Sequence, residues 1–218
     1  IRVVTPGTNT DMASLDEAKN NYIMSIVYTE DKYGIATCDV TTGDFFTTEV
    51  DAERKLLDEV SRFNPSEIIC NEAFYMSGID VDDMKNRLSI TVSALDSWYF
   101  SDGLANETLL SHFHVQTINA LGLEDYESGV IAAGALLKYL YETMNSLDNI
   151  LELHPYSIGK YMIIDSSSRR NLELVETLRE KQKRGSLLWV LDKTRTAMGA
   201  RLLRTYVCLL YTSPSPRD

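Results

Sequence analysis

Apolar and polar positions alternate through residues 22 to 50 in a way that predicts a sheet. Three runs rich in β-branched and aromatic residues, 22–29, 33–39 and 44–50, are separated by polar segments at 30–32 and 41–43. Short polar segments between such runs are typical of hairpins. The first part of the chain therefore predicts three antiparallel strands.

A helical pattern follows the third strand. Asp51 is a candidate N-cap for a helix. The apolar side chains of this helix share one face and are Leu56, Leu57, Val60 and Phe63. Asn64-Pro65 ends the helix before a buried strand at 68–70, because the residue before proline is driven out of the helical region.

Helices and a strand then alternate. Periodicity predicts helices at 81–88, 106–115 and 128–144, and a strand at 89–95. The strand places alternate side chains on one face, namely Ile90, Val92 and Ala94. The last helix carries an apolar stripe of Val130, Gly134, Leu137, Tyr141 and Met144, and we expect it to lie against the sheet. Three antiparallel strands followed by alternating helices and strands predict a ribonuclease-H-like α/β domain.

From Leu151 onward the pattern changes to short helical segments. Asp165 is a candidate N-cap for a helix that runs through Asn171, Leu172 and Val175. Gly185-Ser186 and Thr196 are candidate starts of two further helices. The second part of the chain is therefore predicted to be mainly α-helical.

Charge separates the same two parts. Residues 1–150 carry a net charge of −16 and residues 151–207 a net charge of +5. So acidic a first module is a poor ligand for a phosphate backbone, whereas the second is mildly basic. The charge pattern thus favours two modules of different character.

Composition is that of an ordinary globular chain. Of the 218 residues, 44% are hydrophobic and 24% are charged, which excludes disordered, collagen-like and disulfide-scaffold classes. No apolar run reaches the roughly 18 residues of a membrane helix. Three sparse cysteines, Cys38, Cys70 and Cys208, indicate reduced thiols, so we expect a cytoplasmic protein without a membrane association.

Carboxylates near strand ends raise the question of a nuclease. Asp39 and Asp44 flank the second hairpin, and Glu72 follows the fourth strand. Two-metal cleavage of a phosphodiester needs several converging acids. The first strand carries no acid at its centre, so we interpret these residues as solvated acids of turns rather than as metal ligands.

Other catalytic patterns are weak. His112, His114 and His154 lack the spacing of a metal site, and the acid pairs at 82–83 and 124–125 point apart on any regular element. The serines at 166–168 lack the glycines of a phosphate loop, and Cys38 and Cys70 lie in predicted strands as core thiols. We therefore expect no enzyme activity and no cofactor in this chain.

The basic residues of the second module have two interpretations. Arg169, Arg170 and the segment 181–184 are candidates for phosphate contacts. Solvated i,i+4 ion pairs on helices, with Glu173, Glu176 and Glu180 as the acidic partners, are the favoured reading.

Both ends of the chain predict that it is a piece of a longer protein. It begins at Ile1, and residues 208–218 read CLLYTSPSPRD, which breaks from the preceding helical pattern. This string resembles the translation of a transposase-end adapter used in sequencing libraries. We therefore exclude 208–218 from the reasoning about the fold.

Several segments together resemble the MutS family of DNA mismatch-repair proteins. They are VTPGT at 4–8, GIATCD at 34–39 with Thr42-Gly43 after it, NPSE at 64–67, IDSSSRRNLEL at 164–174 and GSLLWVLDKTRTAMGARLLR at 185–204. They occur in the order of the family. The resemblance implies that 1–8 leaves the mismatch-reading domain, that 9–148 is the connector domain, and that 149–207 begins the core or lever domain.

The same resemblance implies a function. Members of the family bind mismatched DNA in an ATP-dependent way and initiate repair, act as homodimers, and receive a MutL-like partner on the connector domain. The mismatch wedge, the DNA clamp and the site for ATP and Mg²⁺ are expected outside this chain. The residues that carry the interdomain signature are Pro6, Gly7, Asp165, Arg169, Arg170, Asn171, Trp189 and Gly199.

Two alternatives from other classes stay open on the sequence. One is a free-standing ribonuclease-H-like enzyme that acts on nucleic acid. The other is an independent protein-interaction module. A Phe-x-Glu segment and a phosphate loop encoded beside this chain would favour the MutS interpretation over both.

Overall fold

A computed structural model describes residues 5–8, 20–29, 32–144, 146–158, 164 and 166–208. The described chain forms two compact units. Of the described residues, the first contains 5–8 and those within 21–156, and the second contains residue 20 and those from 157 onward. The proposed cap Asp165 and most of the segment 208–218 lie outside the described residues.

The first unit is built on a six-stranded sheet. Its strands are β1 (Tyr22–Thr29), β2 (Lys32–Asp39), β3 (Asp44–Val50), β4 (Glu67–Cys70), β5 (Thr91–Ala94) and β6 (His154–Pro155). Their order across the sheet is β5-β4-β1-β2-β3-β6. Strands β1, β2 and β3 are antiparallel neighbours, whereas β4, β5 and β6 each join the sheet in parallel. The predicted α/β class with three antiparallel strands first is confirmed.

Among its described residues, the first unit also contains five α-helices. They are α1 (Glu53–Phe63), α2 (Glu72–Tyr75), α3 (Val81–Arg87), α4 (Asp102–Phe113) and α5 (Glu127–Thr143). Helix α5 packs against β1, β2 and α4, as the sequence predicted. Its N-terminal amide groups at Ser128 and Gly129 donate to the Glu49 carboxylate on β3. Burial extends around most of α5 rather than along one stripe, and Tyr141 of the predicted stripe is 49% exposed.

Two glycines permit this close packing. A Cβ atom added at Gly34 on β2 would overlap the backbone carbonyl group of Ser128 at the start of α5. One added at Gly134 would overlap the backbone of Ala105 in α4. The backbone of helix α5 therefore packs directly against the backbones of β2 and α4, with no side chain between them at these two glycines.

Some predicted element ends are wrong. Ala52, not Asp51, is the N-cap of α1, and its methyl side chain offers no acceptor to the helix. The Asp51 carboxylate pairs with Lys55 instead. Strand β5 begins only at Thr91, since Ser89 has a left-handed φ of 56°, and Ala94 is exposed. Helix α4 starts four residues earlier than predicted, at Asp102, and ends at Phe113, because its C-cap His114 is in the left-handed conformation.

The described residues of the second unit contain three α-helices. They are α6 (Ser166–Asn171), α7 (Leu187–Leu191) and α8 (Ala197–Cys208). The Ser186 hydroxyl accepts from the amide of Trp189, and the Thr196 hydroxyl accepts from the amide of Gly199, so both predicted starts are confirmed. Helix α6 stops at Asn171 instead of running to Val175. Glu173 explains this end, because its left-handed φ of 47° cannot continue a right-handed helix.

A small core holds this unit together. Its buried side chains are Leu174, Leu188 and Val207, with Ile164, Val175 and Leu203 packed against them. By contrast, one set of large apolar side chains in α7 and α8 is exposed, namely Leu187, Trp189, Val190, Leu191, Met198, Leu202 and Tyr206. The second unit thus buries only part of its apolar surface within its own described residues.

Candidate functional site

The three acids that suggested a nuclease lie in different environments. Asp39 is fully buried and accepts from the amides of Asn21 at 3.1 Å and Thr41 at 2.9 Å, so its interpretation as a solvated acid is wrong. Asp44 accepts from the Thr42 hydroxyl at 2.8 Å, and Glu72 is exposed in α2. Within the described ranges, no group of three or more His, Cys, Asp or Glu side chains could hold a metal ion.

The histidines lie apart. His112 in α4 contacts the Tyr141 hydroxyl through Nδ1 at 2.5 Å and the Ile150 carbonyl oxygen through Nε2 at 2.8 Å. His114 is exposed after α4, and His154 is exposed in β6. His112 therefore fastens α4 to α5 and to the segment that precedes β6.

Cys38 and Cys70 are core thiols, as the sequence predicted. Cys38 and Cys70 are buried in β2 and β4. Burial, with Asp39 and Asp44 adding to it, raises the pKa of Cys38 well above its ordinary range. Burial also raises the pKa of Cys70 to about 12, although Lys85 opposes the rise.

We expect neither thiol to react in the folded protein at pH 8, because the thiolate is the nucleophile. Iodoacetamide followed by peptide mass spectrometry should find Cys38 and Cys70 unmodified until urea is added. A Ser97→Cys variant, which places a thiol at an exposed position, is the control and should be labelled at once. Labelling of Cys70 in native buffer as fast as the thiol introduced by Ser97→Cys would contradict this prediction.

The predicted signature residues Pro6 and Gly7 form a docked turn. Residues 5–8 contain a 3₁₀ helix, Pro6–Thr8, and we call them the N-terminal turn. The Gly7 amide donates to Oε2 of the buried Glu67 at 2.9 Å. A Cβ atom at Gly7 would lie 2.7 Å from Cβ of Ile23, so glycine is needed for the turn to reach the sheet.

Glu67 is the centre of this contact. Sequence reasoning named it only within the segment 64–67 of the family resemblance and missed this role. Its second oxygen accepts from the Tyr139 hydroxyl of α5 at 2.8 Å. A buried carboxylate is stable only when hydrogen bonds replace its lost water. A single acid beside the apolar run at 68–70 was the available signal, and its partners lie 60 and 72 residues away.

Tyr139 predicts a loss of stability at alkaline pH. Burial, followed by the bond to Glu67, raises the pKa of Tyr139 to about 12. The ordinary tyrosine pKa is about 10, so the folded state holds the neutral phenol. This stabilising contribution is complete below about pH 10 and is lost as the pH rises through about 12.

The stability difference between the original chain and Tyr139→Phe should therefore shrink between pH 9 and pH 12. Urea titrations at several pH values measure it. Tyr206→Phe removes an exposed hydroxyl and serves as the control. A difference that grows with pH would contradict the assignment.

A second buried carboxylate, that of Glu59, binds the segment at the C-terminal end of the first unit. Residues 154–156, which we call the C-terminal segment, add β6 to β3, and the Tyr156 hydroxyl donates to Glu59 of α1 at 2.5 Å. Arg62 donates to the same carboxylate at 2.9 Å, and both side chains are largely buried. Sequence reasoning missed this group as well, because Tyr156 lies 97 residues from Glu59.

The signature residues of α6 do not gather into a site within the described residues. Arg169 donates to the Ile164 carbonyl oxygen at 3.5 Å, whereas Arg170 and Asn171 are exposed. Residues 181–184 lie outside the helices, so the predicted i,i+4 helical pairs do not form there. Lys183 instead bonds to Asp192 and, together with Thr194, lowers the pKa of Asp192 to about 2.

Trp189 and Gly199 occupy α7 and α8. Trp189 is 48% exposed and belongs to the exposed apolar set of these helices. Gly199 lies close to its own cap, because an added Cβ atom would lie 3.1 Å from the Thr196 hydroxyl and 3.3 Å from Cβ of Thr194. Trp189 therefore belongs to an exposed surface, whereas Gly199 belongs to the start of α8.

Comparison with known proteins identifies the family. The model of MutS domain II matches residues 21–154, and the model of MutS domain III matches residues 167–209. The chain belongs to the MutS family. It is 58% identical over 208 residues to a DNA mismatch repair protein MutS of Lachnoclostridium phytofermentans and 47% identical over 211 residues to one of Ruminiclostridium cellulolyticum.

These alignments cover 95% of the chain but only 22% and 24% of the two MutS proteins. The chain thus spans about a quarter of the length of the curated relatives that it matches. The resemblance read from the sequence is confirmed, and the two alternative classes are not favoured. In the part of the chain that the structure describes, no helix is long and apolar enough to cross a membrane.

Proposed function

We propose that this chain serves in a MutS-like protein that binds mismatched DNA in an ATP-dependent way and initiates mismatch repair. The observation that carries the proposal is the match to two successive MutS domains with 58% identity across 95% of the chain. Residues 9–148 act as the connector domain, and residues 149–207 form the beginning of the core or lever domain. The whole protein works as a homodimer in the cytoplasm.

The role of this chain is coupling between domains rather than chemistry. The buried acids support this role, because the carboxylates of Asp39, Glu59 and Glu67 accept hydrogen bonds from backbone amides and neighbouring side chains. ATP and Mg²⁺ bind elsewhere in the whole protein, and a MutL-like partner docks on the connector domain. Coupling of this kind requires packed elements with two sites to connect.

A chimera tests the proposal. The matched segment of the Lachnoclostridium phytofermentans MutS is replaced by the corresponding residues of this chain, and fluorescence anisotropy measures binding to matched and mismatched duplexes with and without ATP. We expect the chimera to prefer the mismatched duplex and to respond to ATP as its parent does. A folded chimera that binds both duplexes equally, or ignores ATP, would overturn the proposal.

The isolated chain is the control for this experiment. Its first 150 residues carry a net charge of −16, and phosphate attraction supplies most non-specific affinity for DNA. We expect weak binding near 0.15 M salt without preference for a mismatch. Tight, mismatch-selective binding by the isolated chain would place mismatch recognition within these residues.

A further inference from the structure

We propose that the N-terminal turn and the C-terminal segment of the first unit are energetically coupled through one continuous group of side chains at the start of β1. Loosening either connection is then expected to loosen the other. The coupling is a property of this chain's own contacts, and its meaning for mismatch repair rests on the proposed function.

The N-terminal turn is joined to the start of β1 by two routes. Its Gly7 amide bonds to Glu67 at the first position of β4, which pairs with Ile23 of β1. In addition, Nδ2 of Asn21 donates to the Pro6 carbonyl oxygen at 3.0 Å. The Asn21 Oδ1 atom accepts from the Ser66 hydroxyl at 2.7 Å, which ties the turn to the loop before β4.

Aromatic rings continue the contact from β1 toward α1. The ring of Tyr22, the residue after Asn21, meets the ring of Phe63 edge to face with centroids 5.1 Å apart. The Ser66 amide donates to the Tyr22 carbonyl oxygen at 2.9 Å, so the same loop is bonded to the backbone of Tyr22. Phe63 is the last residue of α1 and also lies 5.8 Å from the ring of Phe46 on β3. Such pairs contribute beyond the area that they bury.

The C-terminal segment closes the group. The Tyr156 ring lies 6.4 Å from the Phe63 ring, and the Arg62 guanidinium lies 4.8 Å and 4.9 Å from the centroids of these two rings. The Tyr156 backbone is fixed as well, because its amide donates to the Thr47 carbonyl oxygen at 3.0 Å and its carbonyl oxygen accepts from the Thr48 hydroxyl at 2.7 Å.

These contacts share members at every step. Asn21 touches the turn and Ser66, Ser66 touches the Tyr22 backbone, and Phe63 touches both the Tyr22 ring and the Tyr156 ring. Residues that share partners in one network show non-additive effects on stability. A change at Glu67 is therefore expected to reach the Tyr156 amide, which donates to the Thr47 carbonyl oxygen.

Hydrogen exchange of single backbone amides, measured by NMR on the whole chain, tests the coupling. The Glu67→Ala variant removes the acceptor of the Gly7 amide. We expect the Tyr156 amide to exchange at least about threefold faster than in the original chain, relative to the Ala132 amide in α5, which reports general opening. Glu67→Gln keeps the side-chain length and is expected to show the same direction with a smaller change.

Asn71→Ala is the matched control. Asn71 donates to and accepts from the Tyr28 backbone near the other end of β1, at 3.0 Å and 3.1 Å. This variant loses two hydrogen bonds outside the proposed group, so it should leave the ratio of Tyr156 to Ala132 exchange unchanged. Equal ratios in Glu67→Ala and Asn71→Ala would overturn the coupling.

A reciprocal measurement completes the test. Tyr156→Phe removes the hydroxyl bond to Glu59, and the Gly7 amide should then exchange faster relative to Ala132. In the double variant Glu67→Ala, Tyr156→Phe, the increase in exchange rate of the Tyr156 amide relative to Ala132 should be smaller than the product of the increases in the two single variants. A full product would mean that the two connections are independent. These measurements use neither DNA nor ATP, so their failure is distinct from a failure of the chimera.

Discussion

Gly34→Ala is expected to destabilise the first unit by about 3 kcal/mol, the upper range for overpacking a well-packed site. The added methyl group would overlap the Ser128 carbonyl group, which is backbone and cannot rotate away. Helix α5 would have to move off β2 and disturb its contact with Glu49. The midpoint of thermal unfolding should fall by about 6 to 12 °C for a protein of this size.

Gly103→Ala is the control for this prediction. Gly103 lies in α4, and an added Cβ atom there meets no atom within 4 Å. Alanine in a helix is favoured over glycine by about 0.5 kcal/mol or more, so this variant should be neutral or slightly more stable. Similar losses for both variants in calorimetry and urea titration would show that close packing is not the cause.

Arg62→Met is expected to cost about 3 kcal/mol, because it leaves the buried carboxylate of Glu59 without its cation. Side-chain exposures of 10% for Arg62 and 6% for Glu59 mean that water cannot replace the lost partner. The stacking of the guanidinium on Phe63 and Tyr156 is lost as well. Urea unfolding at pH 7 measures the change.

The same helix supplies the comparison. Lys55 and Asp51 form an exposed i,i+4 pair at the start of α1, with side-chain exposures of 47% and 69%. Exposed pairs contribute about 0 to 1 kcal/mol, so Lys55→Met should have little effect. If Arg62→Met and Lys55→Met lower the free energy of unfolding equally, burial does not strengthen the Arg62–Glu59 ion pair.

Local chemistry explains what the sequence predicted well. Strands β1 to β3 follow from alternation and polar turns, and the starts of α7 and α8 follow from the hydroxyls of Ser186 and Thr196. The boundary errors have local causes that residue type does not reveal. Ser89 and Glu173 adopt left-handed backbone conformations, which are uncommon for these residues.

The long-range contacts could not be predicted from one sequence. The roles of Glu59 and Glu67 are not visible in the residues around them, because both are buried and bonded by residues far along the chain. Strand β6 has only two residues, too few for any periodicity. Pro6 and Gly7 were predicted from the family resemblance, whereas the acid that receives the Gly7 amide needed the fold.

The short strand β6 also protects the sheet from other molecules. It pairs with Phe46 and Thr47 on the outer side of β3, where a bare strand would offer unpaired amide and carbonyl groups to a neighbouring chain. A piece of this protein that ended at 148 would lack β6 and leave that edge open. Such a piece would tend to aggregate by adding strand to strand, whereas one that extends past Tyr156 keeps its edge covered. A recombinant fragment of the first unit should therefore include the two residues of β6.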